Sequence, residues 1–179
     1  MSCVQMAKMP ASWPESHAAL PDTRLYLLVD AAIYKNGLTS IRRLLPEGER
    51  RSLFDNTPEH GLDEVAPWLI HVPLPSWLAG SGKLDRLLFE ERDKQSLSWI
   101  WSRLDINDLR EHLQPYLQGK LKNGRETLVR FYDPQVMIRL FNIFTEKQKA
   151  ALFDPIEEWW LWSHKDNARL VMRMQHAGV

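Results

Sequence analysis

The chain has 179 residues, enough for one domain with a substantial apolar core, and its 23 basic residues are balanced by 23 acidic ones. A neutral chain has no excess charge for neutralising a phosphate backbone or docking on an anionic membrane, which argues against nucleic acid and lipid as partners. Cys3 is the single cysteine, which rules out an intramolecular disulfide and a thiolate metal cluster and makes the cytoplasm the simplest expected location.

Residues 1–22 mix proline, serine and isolated apolar residues without period, so they read as a mobile arm with one helical turn around Glu15 to Leu20. Pro10, Pro14 and Pro21 break any signal-like block, and no apolar stretch approaches the roughly 18–20 residues that span a bilayer. The folded part, expected over residues 23–164, opens with Leu25 to Val29 and Asp30, a continuous apolar run of the kind buried on both faces. Four more strand-like runs follow: Trp68 to Val72, Leu97 to Trp101, Thr127 to Tyr132 and Glu158 to Trp162. Between them, Leu84, Leu87 and Leu88 form the stripe of a surface helix. Asp105 is the N-cap of a second, which Pro115 kinks or ends, and Asp133-Pro134 supplies an N-cap and first-turn proline for a third. Thr145 and Gln148 have capping-box spacing for a fourth. Residues 165–179 read as a short tail or helix carrying Leu170, Val171 and Met174. The alternation of strands and helices predicts an α/β fold: a single layered domain with a mostly parallel sheet of about five strands and flanking helices.

The chemical motifs are near misses. Gly80-Ser81-Gly82-Lys83 has Trp77 where a phosphate-binding loop has its first glycine and Leu84 where that loop has Ser or Thr, so it reads as a turn before a helix. Asp30 ends a strand as a nucleophilic aspartate does, yet Ala32 stands where the acid partner belongs. The six histidines show no i, i+3 or i+4 pair, no serine sits in a nucleophile elbow, and Cys3 lies in the arm. No catalytic residue, metal ligand or cofactor is expected.

Arg130-Phe131-Tyr132-Asp133-Pro134 stands out because a guanidinium within an apolar strand needs a nearby acid or carbonyl groups. Asp30 and Asp133 are both candidates, and Asp133 serves chiefly as an N-cap. Eight tryptophans are many for such a chain; Trp99 and Trp101 share one strand face, and Trp160 and Trp162 share another. Between helix layers they are core, whereas on an edge or groove they anchor a partner. Trp159, Trp160, Trp162, Leu170 and Met174 are the candidate partner-binding residues, with Trp159 the favoured surface residue.

Three features in order, Tyr26 to Ala32, Leu53-Phe54 with Ala66-Pro67-Trp68-Leu69, and Arg130 to Pro134, give the chain a resemblance to the type VI secretion adaptor proteins, or effector chaperones. That family was long catalogued as a domain of unknown function. The resemblance implies a non-enzymatic bacterial cytoplasmic protein that binds a toxic effector and promotes its loading onto the valine-glycine-repeat spike protein, with no catalytic residues to carry over. It implies fold-defining roles for Asp30, Arg130, Asp133 and Pro134. Either a sheet edge or a groove beside the fifth strand and the tail would serve for recognition. Two other readings stand beside it: a small hydrolase-like enzyme with a strand-end site at Asp30, Arg130 and Asp133, and an immunity protein that blocks a toxin.

Overall fold

The computed structural model describes residues 3–9, 22–72 and 82–175. The strands are β1 (Cys3–Met9), β2 (Arg24–Asp30), β3 (Arg50–Ser52), β4 (Pro67–Val72), β5 (Leu97–Ser102), β6 (Gln118–Lys120), β7 (Glu126–Leu128), β8 (Ile156–Ser163) and β9 (Ala168–Gln175). The helices are α1 (Gly37–Leu44), α2 (Lys83–Phe89), α3 (Ile106–Leu113), α4 (Pro134–Ile143) and α5 (Glu146–Phe153). A five-residue π-helix, Glu90–Lys94, continues α2.

The expected α/β composition holds, but the mostly parallel five-stranded sheet does not. Seven strands form one sheet in the order β1-β9-β8-β5-β2-β4-β3, and every neighbouring pair is antiparallel. A continuous apolar run reports that both faces of a strand are covered, and says nothing about the direction of its neighbours. Here Leu109 and Leu113 of α3, Met137 and Phe141 of α4, and Leu152 and Phe153 of α5 join Tyr26, Leu28, Ile100 and Trp159 in one apolar core, with Phe131 and Phe153 against the Trp159 ring. On the opposite face, which carries Leu27, Trp99 and Trp160, the π-helix is tied to β9. The α2 connection is a genuine crossover: β4 and β5 both flank β2, so the chain passes over β2 between them.

Three further expectations change. Residues 3–9 of the supposed mobile arm are β1, paired along its whole length with β9; the helical turn around Glu15 lies outside the described residues. The tail is β9, a long strand in hairpin with β8, with no helix. Thr127 to Tyr132 is no strand of the main sheet: only Glu126–Leu128 is extended, in a two-stranded hairpin with β6, and Arg130 to Tyr132 lie beyond it. The helix signals held. Asp105 accepts from the Asn107 and Asp108 amides, and Asp133 from the Gln135 and Val136 amides above Pro134. The Thr145–Gln148 capping box is complete. Pro115 falls in the 3₁₀ turn that ends α3. Gly82, in the left-handed region at φ 65°, caps α2, while Gly80 and Ser81 lie outside the described residues.

Candidate functional site

The three sequence features converge at one end of the sheet. Asp30 closes β2 almost fully buried, and its carboxylate accepts 2.6 Å from Arg130 Nη2 and 3.0 Å from the Ala32 amide. Burial pushes the Asp30 carboxyl above its ordinary value, with the Arg130 hydrogen bond pulling against it, while that same bond raises Arg130. The Ala31 amide donates to the Ala66 carbonyl, and the Leu53 amide donates to that of Pro67. Phe131 stands edge-on to Trp159 and Tyr116, and Tyr132 edge-on to Phe54. Burial, with Asp30 nearby, pushes the Tyr132 phenol up to about 12. Asp133 is engaged by the α4 amides and Pro134 is buried at the first turn.

Of the two acids open to Arg130, the structure therefore selects Asp30. The cluster joins β2 to the segment before α4 across 100 residues of sequence. Chemically it is a clamp: one oxygen of Asp30 holds an arginine and the other a backbone amide.

The five candidate partner-binding residues are differently placed. Trp159 and Trp160 are fully buried, Trp162 and Leu170 nearly so, and Met174 is half-buried. Trp159, favoured as a surface residue, packs against Phe131 and Phe153 and donates from its indole nitrogen to Ser98. Trp99 and Trp101 do not lie on a separate face from Trp160 and Trp162. The register pairs Trp99 with Trp160, which puts all four on one side of the sheet and brings the Trp101 and Trp160 rings within 4.3 Å. Trp162 borders a shallow recess of about 360 Å³ with Phe89 and Arg92, and Leu170 borders another beside β1.

Sequence reasoning missed a second charged clamp. Arg169 of β9 makes a bidentate pair with Glu91 of the π-helix, Nε to Oε1 at 3.0 Å and Nη2 to Oε2 at 2.6 Å, and both side chains are buried. The available signal was an arginine directly before the apolar run Leu170 to Met172, akin to the signal that drew attention to Arg130. Its acid, Glu91, continues the Leu84, Leu87 and Leu88 stripe at i+7, i+4 and i+3, but a carboxylate there reads as solvent-facing until Arg169 is placed beside it. Among the described residues no group of three or more His, Cys, Asp or Glu could hold a metal, and no helix is long and apolar enough to cross a membrane.

Residues 25–151 match the family described as a domain of unknown function, DUF4123. The chain belongs to that family. The match takes in β2 to α5 and both halves of the Asp30–Arg130 clamp, and stops before β8 and β9. No curated protein and no solved structure gives a match to the chain.

Proposed function

We propose that this DUF4123 protein is a non-enzymatic bacterial adaptor of type VI secretion, which binds an effector in the cytoplasm and promotes its loading onto the spike protein. The observation that carries the reading is the family match over residues 25–151, which contains the Tyr26, Phe54–Trp68 and Arg130 features through which the chain resembles the secretion adaptors. The geometry lends support from another side. The residues on which a strand-end enzyme would rest are occupied in folding: Asp30 by Arg130 and Ala32, Asp133 by the cap of α4. An almost fully buried carboxylate that already accepts from an arginine and a backbone amide is poorly placed to reach a substrate.

The test is co-expression with candidate effectors and a spike protein, followed by affinity capture and by secretion assays in a deletion strain. Effector co-purification and loss of its export on deletion are expected. Absence of both effector and spike from the captured material, with export intact, would overturn the proposal. Protection from the toxin with export unaffected would mark an immunity protein instead.

A further inference from the structure

The sheet has two edges, and they are built differently. β3, at one end, has only three residues, and the Arg50 guanidinium folds back there onto the carbonyls of Leu45, Pro46 and Gly48. β1, at the other, runs for seven residues, and among the described residues no strand pairs with its outer side. A long edge presents alternate backbone amides and carbonyls in the right spacing for one more strand.

A groove of about 500 Å³ lies alongside β1, between it, α4 and the turn joining β8 to β9. Met6, Ile138 and Leu170 give it an apolar lining, and Ile143 at the end of α4 is 74% exposed. Its charged members are Lys8, Arg139, Lys165 and Asp166. Asp166 is already held by Lys8 at 2.8 Å and by the Ser163 hydroxyl. Arg139 and Lys165 are both exposed and make no ion pair among the described residues. The groove thus offers, beside a strand edge for a backbone, an apolar lining and two exposed cations, with Asp166 as its one acid.

We infer that β1 and this groove receive an extended acidic segment of the effector, added to the sheet as a further strand with its carboxylates on Arg139 and Lys165. The inference rests on the adaptor reading and adds a docking site to it. Charge complementarity selects the occupant: Lys8, Arg139 and Lys165 outnumber the single acid Asp166 in the lining, and a second copy of the chain would bring the same positive excess to the edge.

The probe is a blocked peptide of about seven residues, the length of β1, alternating valine and aspartate; its controls are the lysine counterpart and the aspartate peptide N-methylated at alternate residues. Binding to the full chain is read by fluorescence anisotropy and by backbone amide shifts. We expect the aspartate peptide to bind, shifting amides in β1 and at residues 138–142, and both controls to bind at least about tenfold more weakly. Arg139→Glu with Lys165→Glu should weaken the aspartate peptide by about tenfold or more, with an unchanged melting temperature because both side chains are exposed. Equal binding by either control, an unaffected double variant, shifts confined elsewhere, or dimerisation of the free chain through β1 would each overturn the site. Co-purification of the effector separates the two proposals. An effector held equally by wild type and the double variant removes this site and leaves the adaptor reading. An effector that wild type does not hold removes the adaptor reading, and the peptide titration still decides the site.

Discussion

Asp30 and Arg130 share their hydrogen bond unequally, because the acid is 1% exposed and the arginine 44%. Removing the arginine strands a buried carboxylate, whereas removing the acid leaves a guanidinium that water already reaches. Arg130→Ala should therefore cost about 2–3 kcal/mol, somewhat below a fully buried pair, and Asp30→Asn under about 1 kcal/mol. The pH dependence has a definite sign. A carboxyl whose folded value lies above its ordinary 3.8 takes up a proton on folding, so its ionised form weighs against the fold. That penalty is absent below the unfolded value and complete above the raised folded one. Without Arg130 the folded value rises further, so the deficit of Arg130→Ala should be largest near pH 7 and shrink toward about pH 4. Urea titrations across that range measure it; a deficit independent of pH would mean that Asp30 is not the group left behind. The need of Arg130 for an acid was legible from its apolar neighbours, but the choice of Asp30 came from a contact spanning 100 positions.

Elements whose signals are local were readable, and those whose signals are shared between distant segments were not. The caps of α3, α4 and α5 each depend on a side chain and amides two or three residues away, so spacing alone located them. β9 has the alternation of a strand, Leu170, Met172 and Met174 against Arg169, Val171 and Arg173, yet its Leu170, Val171 and Met174 also suit a helix face. Pairing with β8 and β1 resolves the ambiguity. One backbone position joins the element scale to packing. Gly37 opens α1 at φ 35°, and a β-carbon there would strike the Glu64 carbonyl oxygen. Gly37→Ala should cost about 2 kcal/mol or more, against roughly 1 kcal/mol for Gly124→Ala, whose φ is also positive but whose surroundings are open. Thermal unfolding of the two variants compares them directly; equal losses would show that strain alone, without the Glu64 collision, sets the cost.

At the scale of the molecule, β1 both completes the sheet and forms its long edge. Its Val4 is buried, and its Lys8 bridges to Asp166. A chain lacking residues 1–9 would turn β9 into the edge, uncovering a strand of eight residues that includes buried Val171 and Met172. Its melting temperature should fall by about 5 °C or more, and it should self-associate as concentration rises. Calorimetry and sedimentation test this; an equally stable, monomeric product would show that β1 contributes nothing to the sheet. The Trp-rich face shows the same division. Alternation along β5 and along β8 was plain in each strand, but whether Trp99 and Trp160 meet depends on the register between strands 61 residues apart.

By itself the sequence determined the α/β composition, the starts of α2 to α5 but not of α1, four of the central strands and the family features that run from Tyr26 to Pro134. Each rests on periodicity or on hydrogen bonds within one turn, which short spacings encode. Only the tertiary structure decided that the sheet is antiparallel, that both chain ends extend it, and that Trp159 is core. Strand direction and burial depend on which segments meet, and full coverage of a strand looks the same in sequence whichever way its neighbours run.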